Sequence, residues 1–399
     1  MRAGQRMSGE PIMRSLLLGY ALALGVAPVS GQVSSRIPEW TLERGITIGS
    51  VDDPVYGLSG DVRVLADADR LFVLQPQDGR VRVFSRSGEF VRDLGRRGEG
   101  PGELMQPGGM GWYGSRLWVK ERISARLTLF DVATGEAETT QYRADVPGSL
   151  HRWLPFTVLA DGRFVASPAI ATGPGGQMAA SEIAFIVTEP DGTLRDTLVQ
   201  LSIGGNIGRI TAGLAVGENW IVSPLRDNDL IDFAPDGSSG VLVTRRSWDG
   251  RTTPAEFEVT RIDLHGDTVY SRRVEYEPRR VPSDFFDDEI ADAVERPNVN
   301  NRSAHARALR EFYEQRRYFP AVTIITVAND GTAWLAGVEE GGEREWLVLD
   351  GWGSAIGRFR LPASSYVAFA ALTECWVVEY DALDIPYVVR YDIVRQPPP

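Results

Sequence analysis

A glycine-rich segment with charged side chains is the first place in this chain where chemistry could occur. The segment GRRGEGPGE contains Arg96, Arg97, Glu99 and Glu103. Glycine allows positive φ and leaves N–H groups exposed, so this backbone and the two arginines could bind an anion. The GK[ST] sequence of a phosphate-binding loop does not occur in it. A connector between two elements, with the glutamates paired to the arginines, is the alternative interpretation.

The sequence His151-Arg152-Trp153 is a second candidate binding site. Polar and aromatic groups at this point could line the mouth of a ligand cavity. The alternative is that these residues cap the edge of a sheet. His151 and Trp153 are therefore candidate binding residues.

Catalytic and zinc-binding patterns do not occur in the sequence. The 3 histidines, His151, His265 and His305, are isolated and lack the spacing of a zinc helix or finger. The sequence contains no G-x-S-x-G elbow, and its order gives no serine a defined His–Asp partner. We assign no catalytic residue and no metal ligand.

A group of acidic residues could bind calcium, which prefers oxygen ligands: Asp284, Asp287, Asp288 and Glu289. The same residues suit the first turn of a helix, where the helix dipole favours carboxylates. We therefore expect no cofactor, with calcium as the alternative.

Charge and composition restrict the classes of partner. The net charge of −12 argues against nucleic acid and anionic membrane surfaces. Cys375 is the only cysteine, so an internal disulfide is impossible, and the strand pattern ECWVVEY predicts that it is buried. Lys120 is the only lysine. We attribute the preference for arginine to the codon usage of a GC-rich genome.

Residues 13–31, MRSLLLGYALALGVAPVSG, have the features of a secretory signal peptide: a positive start, an apolar run and small residues before a cleavage site. The apolar run is shorter than the ~20 residues that span a bilayer. The sequence predicts a cleaved signal peptide over residues 1–31 and an extracytoplasmic protein, periplasmic or secreted, with no stable membrane insertion.

The elements that must position these residues are strands. Apolar and polar residues alternate in a strand–turn–strand–turn pattern that is clearest over 69–94 and returns over 109–142, 155–201, 229–277, 320–362 and from 367 onward. The last set lacks one strand, which the N-terminal run 40–48 can supply, and this closure would remove exposed sheet edges. The sequence predicts an all-β fold, a six-bladed β-propeller closed by an N-terminal strand, with residues 32–399 as a single domain.

Residues 281–319 form the one helical insertion predicted within the propeller. The first helix has Ser283 or Asp284 as its N-cap, and the second starts near Ser303. The second helix carries an apolar stripe of Ala308, Leu309, Phe312 and Tyr313. Because the first helix is acidic and the second is basic, we expect an antiparallel pair docked on the propeller. Segments 96–111 and 203–214 are expected to be loops rich in Gly or Pro.

The stretch VRVFSRSGEFVRDLGRRGEGPGEL, residues 81–104, resembles an NHL repeat of a six-bladed β-propeller. The positions that carry the likeness are Gly88, Phe90, Gly95, Gly98, Gly100, Gly102 and Pro107. The likeness is close over about one blade, and later blades keep only Asp-Gly turns. It implies an exported bacterial propeller, and relatives of that fold include binding platforms as well as hydrolases and lyases.

Two functions follow from this reading. In the first, the protein presents a propeller face to a protein, peptide or glycan and catalyses nothing. In the second, it is a metal-dependent hydrolase or lyase of the lactonase kind, with carboxylates converging on the ring axis. An apolar or arginine-lined axis would favour the first, and four or more Asp, Asn or Glu oxygens at one axial point would favour the second.

Overall fold

The computed structural model describes residues 37–122, 124–147, 149, 152–169, 182–203, 207–215, 217, 219–223, 225–245 and 248–395. The predicted signal peptide and His151 lie outside these ranges. Within them, six four-stranded antiparallel sheets form the ring of a six-bladed β-propeller, which confirms the predicted fold.

The first three blades follow one another in chain order. Blade 1 contains β2 (Arg63–Ala66), β3 (Arg70–Gln75), β4 (Arg80–Ser85) and β5 (Phe90–Leu94). Blade 2 contains β6 (Pro107–Tyr113), β7 (Arg116–Glu121), β8 (Arg126–Asp131) and β9 (Ala137–Gln141). Blade 3 contains β10 (Trp153–Val158), β11 (Phe164–Pro168), β12 (Glu182–Thr188) and β13 (Leu194–Ser202).

The next two blades are separated by the helices. A separate hairpin of β14 (Ile207–Ile210) and β15 (Asn219–Val222) precedes blade 4. Blade 4 contains β16 (Leu230–Phe233), β17 (Ser239–Thr244), β18 (Ala255–Asp263) and β19 (Thr268–Tyr276). After α1 (Asp287–Val294) and α2 (Arg302–Tyr313), blade 5 contains β20 (Ile324–Val327), β21 (Ala333–Glu340), β22 (Glu343–Leu349) and β23 (Ala355–Pro362).

The N-terminal strand closes the ring in the last blade. This sheet has the order β1 (Trp40–Ile48), β26 (Pro386–Arg395), β25 (Glu374–Tyr380) and β24 (Tyr366–Ala371). The pairing of β1 with β26 is antiparallel and runs from Trp40↔Arg395 to Ile48↔Val388. The run predicted to supply the missing strand therefore does so.

All connections between blades reach the same end of the ring. Each blade has four antiparallel strands, so its fourth strand ends at the face where the first strand of the next blade begins. We call this end the connection face. It carries the glycine-rich segment, the β14–β15 hairpin and the helical insertion. The hairpin turns between the first two strands of each blade lie at the opposite face.

Side chains of one blade satisfy the free backbone groups of the next along the axis. The first strand of each blade is an edge strand, whose unpaired N–H and C=O groups need partners. Four such bonds run in one direction around the ring: Lys120 Nζ to Phe156 O (2.7 Å), Val327 N to Asp232 Oδ2 (3.0 Å), Thr326 Oγ1 to Val367 O (2.9 Å) and Tyr366 OH to Val62 O (2.7 Å). The axis is therefore held together by polar bonds as well as by packing.

The helical insertion packs against the β14–β15 hairpin, and the two share one apolar core. Their common apolar core contains Ile210, Ile221, Leu225, Phe286, Ile290, Ala293, Leu309, Tyr313 and Phe319. Arg310 Nη2 pairs with Asp287 at 2.8 Å and joins the two helices. A second ion pair, from Arg316 Nη2 to Asp227 at 3.1 Å, ties the end of α2 to the start of blade 4.

Two details of the insertion differ from expectation. The first helix begins at Asp287 after Phe286, not at Ser283 or Asp284, because residues 283–286 form turns. The second is capped by Asn301, whose side chain accepts from Ala304 N. Segment 203–214 contains strand β14, and segment 96–111 contains the start of strand β6; both segments were predicted to be loops. Within the described residues, neither helix is long and apolar enough to cross a membrane.

Candidate functional site

Charged residues from blades on opposite sides of the ring converge at the axis. Arg63 begins β2 in blade 1, Lys120 lies on β7 in blade 2, and Asp232 lies on β16 in blade 4. Asp232 interacts electrostatically with both cations. Blades 1 and 4 are opposite each other in a six-membered ring, so such groups approach one another only near the axis. We call Arg63, Lys120 and Asp232 the axial cluster.

Lys120 has room in front of it because its partner on the neighbouring strand is a glycine. β6 has the sequence PGGMGWY, and Gly109 is the register partner of Lys120. A Cβ atom at Gly109 would lie 2.9 Å from Lys120 Cε. The ammonium passes across this gap and lies 4.3 Å from the centre of the Phe156 ring. A side chain at Gly109 would therefore contact the Lys120 side chain and make it shift.

The environment of Lys120 makes it unlike an ordinary surface lysine. Its side chain is half-buried. Burial lowers the pKa of Lys120 to about 8, an effect that Asp232 opposes and Arg63 reinforces. A measurable fraction of this amine is therefore neutral in mildly alkaline solution, which no arginine side chain achieves.

Asp232 shows the complementary behaviour. Burial raises the pKa of Asp232 to about 6, although it accepts hydrogen bonds from Val327 N and Phe233 N and lies near Lys120 and Arg63. Displaced pKa values of this kind concentrate at functional sites, although inter-blade bonds also produce them. The axial cluster thus holds one carboxyl group and one amine that both titrate near neutrality.

The mouth of the axis on the connection face is rich in arginine. Asp61 lies between two guanidinium groups, at 2.8 Å from Arg63 Nη1 and 3.0 Å from Arg122 Nη2. With Lys120 and Asp232, the site contains three cations and two carboxylates, so its balance is one positive charge in an acidic chain. The mouth therefore carries a small positive excess of charge.

The glycine-rich segment uses its own N–H groups. Glu103 Oε2 accepts from Gly100 N at 2.8 Å, and Glu103 Oε1 accepts from Arg96 Nε at 2.8 Å. These bonds hold the pKa of Glu103 below its usual range, and the bond from Gly100 N has the larger effect. Arg97 donates to Gln77 O at 2.8 Å. The Glu103 carboxylate of the same loop thus binds the N–H groups that an external anion would use. Glu99 lies between Arg96 and Glu103 in this loop.

Trp153, one of the two residues of the second predicted site, lines a concavity. Trp153 is half-buried and its Nε1 donates to Ser149 Oγ at 3.2 Å. A cavity of about 380 Å³ is lined by Ala125, Gln141, Tyr142, Arg143, Ala144, Arg152 and Trp153. By topology it opens on the connection face, like the arginine-rich mouth. His151 lies outside the described residues.

The predicted calcium position is part of the insertion. Asp287, Asp288 and Glu289 form the first turn of α1, and Asp287 pairs with Arg310. Among the described residues, no three acidic, histidine or cysteine side chains lie close enough to hold a metal ion. The free thiol of Cys375 is buried as expected, and burial raises its pKa to about 12.

Lys120 is the functional candidate that sequence reasoning missed. Two signals were present in the sequence: it is the only lysine, and it follows the glycine-rich strand PGGMG by one hairpin. The codon-usage interpretation drew attention away from this position, where Lys120 interacts electrostatically with Asp232.

The fold and the axial cluster define a six-bladed β-propeller with a cationic mouth on its connection face. A family model, DUF5128, described as "6-bladed beta-propeller", matches residues 58–133. This region includes Arg63, Lys120 and all of blade 1. No curated protein matches the sequence.

Several solved structures are similar to this chain at low sequence identity. A protein from Bacteroides fragilis described as exported is 10% identical, with 90% of this chain and 96% of that chain covered and a TM-score of 0.45. A DUF4221 family member from Bacteroides vulgatus is 13% identical, with coverage of 91% and 100% and a TM-score of 0.46. A calcium-binding regucalcin from Agrobacterium tumefaciens is 12% identical, with coverage of 84% and 89% and a TM-score of 0.38.

Proposed function

We propose that this protein is an extracytoplasmic binding propeller that recognises an anionic group of a protein, peptide or glycan at the mouth of its axis. The ligand binds on the connection face and is not turned over. The charge of the axial cluster and its mouth carries this proposal, because three cations there face two carboxylates.

The same face offers a second contact area of matching chemistry. Arg143, Arg152 and Trp153 line a cavity there, and the indole gives an apolar surface beside two guanidinium groups. Aromatic rings with neighbouring arginines suit sugars and peptides that carry carboxylates. A ligand large enough to touch both the mouth and the cavity gains affinity from each contact.

The alternative, a metal-dependent hydrolase, needs several oxygen ligands at one axial point. In the axial cluster, Asp232 supplies the carboxylate, and one of its oxygens already accepts from Val327 N. Two cations stand next to it, and positive neighbours disfavour a divalent ion. This observation supports the binding proposal over the hydrolase proposal.

Thermal shift with carboxylate ligands tests the proposal. Succinate, a glutamate-rich peptide and oligogalacturonate are added to the purified protein, and we expect at least one to raise Tm in a salt-dependent way. Arg122→Gln should abolish that shift. Arg116→Gln is the matched control, because Arg116 lies at the other end of β7 and pairs with Glu138 at 3.2 Å.

Elemental analysis of the same sample gives a second test. A stoichiometric divalent ion whose removal lowers Tm would overturn the proposal in favour of the hydrolase. An Arg122-independent shift would place the ligand elsewhere on the protein.

A further inference from the structure

The cavity of about 380 Å³ lies where blade 2 ends and blade 3 begins. Blade 2 contributes the end of β9 and the residues that follow it, and blade 3 contributes Arg152 and the first residue of β10, Trp153. The volume is at the lower end of the ~300–1,000 Å³ that small-molecule sites occupy. The cavity therefore has room for one unit of a larger ligand, with the rest of that ligand outside it.

Two arginines at this cavity keep their guanidinium groups free. Arg143 and Arg152 are exposed and line the cavity. Neither side chain forms a hydrogen bond or an ion pair with any residue that the structure describes. They differ in this respect from Arg63 and Arg122 at the mouth, which are both bound to Asp61. Two free guanidinium groups beside one concavity suit a carboxylate, because each can donate paired N–H bonds to it.

Buried groups fix the floor of the cavity before any ligand binds. Tyr142 is 2% exposed, and its N donates to Ala125 O at 2.6 Å. Its hydroxyl oxygen lies 3.0 Å from Thr188 Oγ1, and its ring packs edge to face on Phe164 with the ring centroids 5.6 Å apart. The floor is thus preformed, which lowers the entropy cost of binding a ligand there.

The backbone that carries the two arginines is held in place as well. An added Cβ at Gly192 would collide with Arg143 O, so a turn of blade 3 packs directly against the chain that leaves blade 2. Asp145 N donates to Gly192 O at 3.0 Å, and Ala169 N donates to Arg152 O at 2.6 Å. The two guanidinium groups therefore extend from fixed points.

The other lining residues favour a sugar over a peptide. Trp153 is half-buried, and its Nε1 already donates to Ser149 Oγ at 3.2 Å, so the indole offers ring carbons to the cavity. Such carbons pack well on the C–H face of a pyranose ring. Gln141 adds an amide that both donates and accepts, which matches neighbouring sugar hydroxyl groups. An acidic peptide would use the arginines but not this combination.

We propose that this cavity binds a hexuronate unit of an acidic glycan, with Arg143 and Arg152 on the carboxylate and Trp153 against the sugar ring. The inference rests on the proposed function, because the hexuronate carries the anionic group, and it names the class of ligand. An acidic glycan has one carboxylate on each such unit. One unit can therefore occupy the cavity while another reaches the mouth of the axis.

Titration calorimetry with trigalacturonate tests the inference on the full mature chain. Its methyl ester keeps the sugar rings and lacks the charges, and hexaglutamate has carboxylates but no sugar ring. We expect both to bind at least tenfold more weakly than trigalacturonate. Arg143→Gln and Arg152→Gln should each weaken the binding of trigalacturonate by about tenfold or more, the effect of losing a charge-assisted hydrogen bond.

Variants of Trp153 test the contact with the ring. Trp153→Ala should also weaken trigalacturonate by about tenfold, whereas Trp153→Phe keeps an aromatic ring and should retain most of the affinity. The Tm of each variant checks that it folds. Arg251→Gln is the matched control and should bind like the wild type, because Arg251 is exposed and lies in the β17–β18 loop of blade 4.

Three results would overturn the inference. Hexaglutamate that binds as tightly as trigalacturonate, with the same loss in Arg152→Gln, would assign the cavity to an acidic peptide. Equal binding of the methyl ester would show that no carboxylate is recognised. Unchanged affinity in Arg143→Gln and Arg152→Gln would place the glycan elsewhere.

The same samples separate this inference from the proposed function. If succinate stabilises the protein through Arg122 but trigalacturonate does not bind, the cavity assignment is wrong and the anion-binding mouth stands. If trigalacturonate binds through Arg152 and Trp153 while Arg122→Gln changes the response to no ligand, the cavity stands and the mouth is wrong. If no ligand binds, both are wrong.

Discussion

Asp232 titrates in a range where most exposed carboxyl groups have already ionised. Its pKa rises from 3.8 to about 6 because burial penalises the charged form. The folded protein therefore binds more protons at this residue than the unfolded chain between those values. Stability contributed by the neutral carboxyl group is present at low pH and is lost as the pH rises through 6.

We expect Asp232→Asn to remove this pH dependence. Between pH 4 and pH 6, the wild type should lose on the order of 1 kcal/mol of unfolding free energy relative to the variant. Urea denaturation at several pH values measures the difference. Asp131→Asn is the control of opposite sign, because hydrogen bonds from Thr134 N and Ala133 N lower the pKa of Asp131. Parallel pH profiles for wild type and Asp232→Asn would contradict the burial of this group.

Single side chains were the hardest feature to predict from the sequence. Strand alternation predicts a core position for Trp334, Trp346 and Trp376, and all three are fully buried. Lys120 was not recognised, because its neighbours Phe156 and Asp232 belong to other blades. Alternation within one strand predicts which face of the strand is buried. It does not predict which residues of other blades a given side chain will contact.

At the scale of elements, strand β6 shows how a glycine-rich sequence makes room for its neighbour. A Cβ at Gly111 would lie 2.5 Å from Trp118 Cζ2 and 2.6 Å from Pro235 O. Trp112 N donates to the same Pro235 O at 2.7 Å, so blade 4 is fastened directly to β6. The strand therefore tolerates no added side chain at this point.

Gly111→Ala should lower the unfolding free energy by about 1–3 kcal/mol, because a ring and a backbone carbonyl must both move. Gly337→Ala is the matched strand control, since the nearest atoms to its added Cβ lie at 3.7 Å and 3.8 Å. Chemical denaturation of both variants checks the comparison. Equal loss of stability in the two would show that steric contact at Gly111 is not the cause.

The helical insertion depends on one partly buried ion pair. The side chains of Arg316 and Asp227 are only 12% and 15% exposed, whereas those of Arg310 and Asp287 are 47% and 50% exposed. Removing one partner of an ion pair that is shielded from water costs more folding stability than removing one partner of an exposed pair. The remaining buried charge keeps its desolvation cost without a partner.

Arg316→Gln should destabilise the insertion by on the order of 2–3 kcal/mol, and Arg310→Gln by about 0.5 kcal/mol or less. Hydrogen exchange of α1, α2 and the β14–β15 hairpin measures this locally. The ring itself should keep its protection in both variants. Uniform loss across the blades in Arg316→Gln would mean that the insertion does not open separately.

Elements were predicted well where the pattern was periodic and poorly where it was short. The six strand sets and the apolar stripe of α2 follow a clear period. Strand β14 has four residues within a Gly-rich segment, too few for a period to be visible. The start of α1 was placed too early because Ser283 and Asp284 are good N-cap residues, yet they belong to a preceding turn.

At the scale of the whole molecule, the indole of Trp40 links the closing strand to the neighbouring blade. It packs against Trp334 of blade 5, with ring centroids 5.9 Å apart. A Cβ at Gly357 would lie 2.0 Å from its ring. Ring closure is therefore secured by packing between blades as well as by the β1–β26 ladder.

Trp40→Ala should cost about 3–5 kcal/mol, since it leaves a large cavity where blades 5 and 6 meet. Trp352→Ala is the control, because that indole is 71% exposed, and it should change stability by less than about 0.5 kcal/mol. Urea denaturation reports both values. A small effect in Trp40→Ala would show that closure does not depend on this contact.

The antiparallel register of β1 and β26 also determines how the ring responds to force. Trp40 and Arg395 are partners at one end of this ladder, and Ile48 and Val388 are partners at the other. Tension applied at Trp40 and Arg395 therefore loads this pair first and opens the hydrogen bonds of the ladder one after another. The ring would thus yield at low force when pulled from these two ends, and pulling between the middle of β1 and a distant blade would meet much higher resistance.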